Sequence, residues 1–154
     1  VGVELPSINE TLEIGKGRRI QNGEDIAILT IGHIGNYAVE ACKELEQSGI
    51  SVAHYDMRFA KPIDETLLHE VFTKHKKIVT VEDGCIIGGM GSAVLEFMAE
   101  NDYLAQVTRL GIPDKMVEHG EQLELHKECG YDVSGIVKTV KEMVGSVSSM
   151  TELG

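Results

Sequence analysis

Between Val79 and Ala93 the chain runs Val-Thr-Val-Glu-Asp-Gly-Cys-Ile-Ile-Gly-Gly-Met-Gly-Ser-Ala. A buried strand ends in two acids, and a cluster of glycines then opens an apolar helix. That order places a loop at the carboxyl end of a strand, the position where open α/β sheets receive ligands and partners. A helix N-terminus there also presents free backbone N–H groups to an anion or an oxygen. The stretch contains no residue that clearly performs chemistry.

The remaining chain supplies the rhythm this segment needs. Ile26 to Ile31 is a nearly continuous apolar run, the pattern of a strand covered on both faces. After Gly32, Ala38, Ala41, Cys42 and Leu45 recur at helical spacing, and Gly49 is a typical left-handed helix end. Ile50 to Phe59 supplies the next strand. Asp64, just after Pro62, is the expected N-cap of a helix carrying Leu67, Leu68, Val71 and Phe72. Lys77 to Val81 is the third core strand, Ala93, Val94, Phe97 and Met98 mark the next helical face, and Gln106 to Leu110 is the last strand. A polar connection follows Pro113, then a short helix ended by Gly130 and a final helix with Val133, Ile136, Val137, Val140 and Val144 on one side. Strand and helix alternate, so the expected fold is a three-layer α/β/α sandwich with a mostly parallel sheet. Glycine-broken and polar, the segment from Glu13 to Gln21 suits an exposed edge strand. The domain is expected over 11–145, with 1–10 as a linker or arm, as of a piece cut from a longer polypeptide, and 146–154 as a flexible tail.

Composition narrows the function classes. At 154 residues and 42% apolar content, one core is expected, burying roughly 70% of the unfolded surface. Twenty-five acids against fourteen bases give a formal charge of −11, which repels phosphate backbones and anionic lipid, so neither nucleic acid nor membrane is an expected partner. Cys42, Cys85 and Cys129 show no close pairing and follow no secretory leader, which fits a reducing cytoplasm better than an oxidising compartment. No apolar run approaches the ~20 residues needed to span a bilayer.

Each candidate site has a plain structural alternative. The cluster Gly84, Gly88, Gly89, Gly91 lacks both the dinucleotide spacing and the Lys-Ser or Lys-Thr pair of a P-loop. Its glycines suit positive φ and close backbone approach at a helix start or a subunit contact, with anion binding through free N–H groups as the alternative. Glu82 and Asp83 are neighbours at a strand end and point to opposite faces, which argues against a shared acid–base role and leaves one of them free to accept hydrogen bonds from the loop or a partner. Cys85, before a helix N-terminus, is the most reactive thiol expected, yet no base is identifiable beside it. The six histidines are scattered, and only His126 with Cys129 has ligand-like spacing, which is too little for a zinc site. His119, in a glycine-bounded loop, is the exception retained as a candidate together with Ser92. Arg58 and Lys61, and the group Lys16, Arg18 and Arg19, suit either an anion or salt bridges to the abundant acids, with the acids favoured.

Five blocks carry a specific resemblance. They are Gly23-Glu24-Asp25-Ile26-Ala27-Ile28-Leu29; Asp56-x-Arg58-Phe59-x-Lys61-Pro62-Ile63-Asp64; Val79 to Gly84 with Gly88-Gly89-x-Gly91-Ser92-Ala93-Val94-Leu95-Glu96; Leu110-Gly111-Ile112-Pro113-Asp114; and Glu118-His119-Gly120. In this order, across about 120 residues, the chain closely resembles the last domain of the 1-deoxy-D-xylulose-5-phosphate synthase family, within the wider group of transketolase C-terminal domains. The β subunits of 2-oxo acid dehydrogenases share the strand-to-acid-to-glycine pattern, and the last two blocks favour the synthases. Asp83 stands where the family more often has Glu, and Cys85 where a small or polar residue is usual.

The resemblance implies a five-stranded sheet with one antiparallel edge strand. It also implies a parent transferase, dependent on thiamin diphosphate and magnesium, that joins pyruvate to glyceraldehyde 3-phosphate with loss of carbon dioxide, for isoprenoid precursor and thiamin biosynthesis. The family's diphosphate motif has no counterpart here, since Glu82-Asp83-Gly84 lacks the leading glycine and Asn101 is too close. No catalytic, cofactor-binding or metal-binding residue of the family can be carried onto this chain. The chain is therefore expected to bind no cofactor alone and to be inactive in isolation. Its expected partners are the N-terminal cofactor-binding domains of the parent and a homodimer mate, with Glu82, Asp83, Gly84, Gly88, Gly89, Gly91, Ser92 and His119 as the candidate interface or anion loop. The competing readings are a domain of another transketolase-like enzyme, a free-standing small-ligand-binding α/β domain, and a thiol enzyme using Cys85.

Overall fold

Alternating side chains of the central strand pack two cores at once. In the computed structural model, which describes residues 11–145, Ile26 and Ile28 point into one apolar cluster and Ala27 and Leu29 into the other, all fully buried. This strand, β2 (Ile26–Ile31), is preceded by β1 (Arg18–Gln21) and followed by β3 (Val52–Asp56), β4 (Lys77–Cys85) and β5 (Gln106–Ile112). The sheet order is β1-β3-β2-β4-β5. The β2–β3, β2–β4 and β4–β5 pairs are parallel, and β1 runs antiparallel to β3 as the edge. The architecture is the expected α/β sandwich with a mixed five-stranded sheet. The arm 1–10 and the tail 146–154 lie outside the described residues.

Helices α1 (Gly35–Gln47) and α5 (Val133–Gly145) cover one face. On the other lie α2 (Glu65–Lys74) and α3 (Met90–Glu100), and a short α4 (Gln122–Glu128) sits beyond β5. A single 3-10 turn, Gly32–Ile34, joins β2 to α1. Gly32, Gly49, Gly88 and Gly130 all have positive φ, the conformation glycine adopts without a Cβ penalty. Asp64 caps α2, accepting from the Leu67 N–H at 3.0 Å, and its second oxygen accepts from Gly17 N–H at 3.0 Å, tying the edge segment to the body. Among the described residues no helix is long and apolar enough to cross a membrane.

Strands exceed or fall short of their sequence patterns where the backbone ladder, rather than apolar content, sets the limit. β4 continues through the polar Glu82-Asp83-Gly84 to Cys85 because Cys85 still pairs with Ile112 after a register shift. β1 contracts to four residues, since Gly15 and Gly17 hold its start in a turn and loop against Pro62 and Asp56.

The turn from β4 into α3 is closed from within. Glu82 is buried, and its carboxylate accepts from Met90 N–H at 2.8 Å and Gly91 N–H at 2.9 Å, meeting the unpaired donors and the positive end of the α3 dipole. Gly89 makes room for it, and Gly91 lets α3 approach β4. A Cβ on Gly89 would lie 2.1 Å from Glu82 Oε2, and one on Gly91 would lie 2.4 Å from Thr80 Oγ1. Ser92 Oγ accepts from Gly88 N–H at 2.9 Å and from Arg109 at 2.8 Å, and Arg109 also donates to Ile86 O at 2.7 Å.

One buried polar group titrates against the fold. His54 on β3 is 2% exposed, its Nε2 lies 2.8 Å from Thr30 Oγ1, and its Nδ1 has no partner. Thr30 Oγ1 also lies 3.4 Å from Tyr55 O, so it donates there and accepts from His54 Nε2–H. Burial pushes the imidazole pKa from its ordinary 6.5 down to about 4, with nearby Asp56 opposing the shift and Arg18 adding to it.

Two outcomes follow from this packing. Glu82→Gln, which replaces one acceptor oxygen by an amide facing a backbone N–H, lowers unfolding free energy by about 2 kcal/mol in urea titration, and a change below about 0.5 kcal/mol would show the clasp to be energetically idle. For His54 the folded-state pKa is depressed, so the unfolded chain binds the extra proton. Its contribution is complete above pH 6.5 and declines as pH falls towards 4, by roughly 3 kcal/mol at most. Denaturant midpoints measured across that window decline less steeply in His54→Gln than in the parent chain.

Candidate functional site at the carboxyl edge of the sheet

The strand order creates a crevice between β2 and β4. The connection leaving β2 passes through α1 to β3 on one side, while β4 on the other side sends its chain through α3 to β5, and α1 and α3 lie on opposite faces. The two carboxyl ends therefore diverge, the usual geometry of a ligand crevice in an open sheet. His33 lies in the 3-10 turn directly after β2, and Asp83 at the end of β4.

Alternation along β4 separates the two acids. Glu82 turns towards α3 and is consumed by the clasp, while Asp83 turns to the opposite face and is accessible. There its Oδ1 accepts from Tyr131 O–H at 2.8 Å. Its Oδ2 lies 3.5 Å from His33 Nε2 and 3.8 Å from His126 Nε2. His126, on α4, is 3% exposed and is held by rings on several sides: Tyr131 at a centroid distance of 4.9 Å, Tyr37 at 5.7 Å and His33 at 5.9 Å. Its Nδ1 faces Tyr37 Oη at 3.2 Å. Burial and then the hydrogen bond to Asp83 raise the Tyr131 phenol well above its ordinary pKa, so it remains a donor at neutral pH.

Beside this group opens a cavity of about 440 Å³, bordered by Asp83, Ile112, Glu118, His119, His126 and Tyr131. His119, retained from the sequence for its glycine-bounded loop, thus borders the same space as Asp83. The anion-binding alternative for the glycine loop meets a definite obstacle. Glu82 already holds the Met90 and Gly91 N–H groups, and its negative charge occupies the place an anion would take. Gly88 and Ser92 are likewise engaged with each other. The loop tip presents Ile87, 66% exposed, to solvent.

The remaining candidates are placed as follows. Cys42 is buried, and burial pushes its thiol up to about 11. Cys85 is exposed at the end of β4, and Cys129 borders the cavity. The basic residues meet acids: Arg18 with Asp56 at 3.1 Å, Arg19 with Glu70 at 2.6 Å, Lys16 with Asp64 at 3.7 Å and Arg58 with Asp56 at 3.9 Å. His126 faces Asp83 and His33, and Cys129, the residue at ligand-like spacing from it, borders the same cavity. Sequence reasoning passed over His33, Tyr37 and Tyr131, because the pair 33 and 37, position 83, and the pair 126 and 131 are far apart in the chain and meet only when the strand ends and α4 converge.

Comparison with known proteins places this geometry in a family. The model for the transketolase C-terminal domain matches residues 15–136. A 1-deoxy-D-xylulose-5-phosphate synthase from Cytophaga hutchinsonii is 64% identical over 138 residues, covering 90% of this chain and 22% of the relative. The synthase from Phocaeicola vulgatus is 52% identical over 132 residues, covering 85% and 21%. The chain thus spans about a fifth of the length of the curated relatives it matches. Among solved structures, a split-gene transketolase, described as an inactive β4 tetramer, superposes with a TM-score of 0.81 at 33% identity, covering 93% of this chain and 46% of the other. With the family model matching residues 15–136 of 154 and the sheet order on hand, this chain belongs to the transketolase C-terminal domain family.

Proposed function

We propose that this chain serves as the C-terminal domain of a 1-deoxy-D-xylulose-5-phosphate synthase. In that setting it stabilises a homodimer and braces the domains that hold thiamin diphosphate and magnesium, while the parent condenses pyruvate with glyceraldehyde 3-phosphate. The observation that carries the reading is the 64% identity over 90% of this chain to a synthase of which it spans only 22%. A cytoplasmic setting accompanies it, in which the three free cysteines remain reduced.

The glycine loop offers no cradle for the diphosphate of thiamin diphosphate. The N-terminus of α3, where a diphosphate would find backbone donors, is filled by the Glu82 carboxylate, which lies directly against Gly89. No step of the transferase reaction is therefore assigned to this chain. Its contribution is buried surface. Ile87 at the tip of the glycine loop, Met116 beyond β5 and Leu123 on α4 are large apolar side chains 66%, 91% and 69% exposed, all following the carboxyl ends of β4 and β5. They suit a subunit or interdomain contact, with the loop from Gly84 to Gly91 as its rigid edge. The split-gene transketolase, described as an inactive beta4 tetramer, carries a domain of this type within less than half of its chain, in an assembly without activity.

Two experiments test the reading. Substituting this chain for the corresponding segment of the Cytophaga hutchinsonii synthase retains synthase turnover, whereas a folded but inactive chimera, or turnover by the isolated chain, overturns the proposal. In the same chimera Ile87→Asp weakens self-association, seen by sedimentation as a shift towards smaller species, while an unchanged assembly removes the loop from the interface.

A further inference from the structure

We infer that His33 Nε2, Asp83 Oδ2 and His126 Nε2 form a three-ligand site for a divalent first-row transition metal ion, with zinc the best match. The three donor atoms lie within 4.8 Å of one another, Asp83 Oδ2 being 3.5 Å from His33 Nε2 and 3.8 Å from His126 Nε2. Around a tetrahedral zinc with bonds of about 2.0–2.1 Å, ligand atoms sit roughly 3.4 Å apart. Both edges through Asp83 are thus within about half an ångström of a zinc coordination edge. The His33 ring, half exposed on its 3-10 turn, is the ligand free to close the third edge. Two imidazoles and one carboxylate are borderline donors that select this class of ion over calcium or magnesium.

The surroundings are those of oriented ligands. Tyr131 O–H holds Asp83 through Oδ1, leaving Oδ2 directed at both imidazoles. Tyr37 Oη faces His126 Nδ1 at 3.2 Å, so an Nδ1–H donated to it leaves Nε2 with a bare lone pair on the Asp83 side. His126 is buried among aromatic rings and cannot turn away without vacating that packing. The one carboxylate among the three ligands and the chain's −11 both favour a cation. Three protein ligands leave a further position, and the 440 Å³ cavity that Asp83 and His126 border supplies the space for a water or a small donor ligand.

The site extends the scaffold reading and does not depend on it. The test uses the chain stripped with chelator and titrated with Zn²⁺ by calorimetry and with Co²⁺ by visible absorption. One ion binds per chain, Co²⁺ develops the intense bands of tetrahedral coordination, and His33→Ala and Asp83→Asn each weaken binding at least about tenfold. Tyr37→Phe, which touches no ion, also weakens it about tenfold by releasing the His126 tautomer, and His69→Ala, on the far face, leaves it unchanged. Saturation absent below about 100 µM metal, or binding untouched by both His33→Ala and Asp83→Asn in variants shown to be folded by circular dichroism, overturns the assignment.

Discussion

A single carboxylate organises the functional edge of this domain. Glu82 leaves β4, turns under the glycine loop and accepts the first free N–H groups of α3. A charged acceptor on two backbone donors is a strong interaction in a buried setting, because each donor would otherwise be unpaired. It fixes the angle at which α3 meets the sheet, and the glycines at 88, 89 and 91 are there because that approach leaves no volume for a side chain or requires positive φ. A loop that looks like an anion cradle has become an internal joint.

The same strand end then releases its next residue for another purpose. Since successive side chains of a strand point to opposite faces, committing Glu82 to α3 commits Asp83 to the face of α1 and α5. There it meets His33, His126 and Tyr131, drawn from two other parts of the chain. The divergence of β2 and β4 supplies the opening, and α4 closes one side of it with His126. The acids at positions 82 and 83 are neighbours in sequence but belong to separate polar systems.

Electrostatics elsewhere is a matter of surface pairing. Arg18, Arg19, Lys16 and Arg58 all face carboxylates, so the basic residues near β1 and β3 offset part of the acidic excess instead of forming an anion grip. The exposed pairs, Arg18 with Asp56 and Arg19 with Glu70, add little to stability individually. The buried contributions are the Asp64 cap on α2, the Glu82 clasp and the two apolar clusters on either side of the sheet. The His54 imidazole acts in the other direction, since its Nδ1 is buried without a partner.

From sequence alone the α/β order, the strands with their periodicities, the edge character of the first strand, the Asp64 cap and the family resemblance could all be read, because each rests on local pattern: apolar period, turn residues and cap spacing. The opposite aims of Glu82 and Asp83 were legible for the same reason. What only the tertiary structure decided was which of the two acids the helix would take, and what the other would meet. His33 and His126 are ninety-three positions apart (126 − 33), and Tyr37 and Tyr131 offered no spacing to connect them with Asp83. Their meeting depends on strand order and on where α4 docks, long-range properties that no short segment encodes.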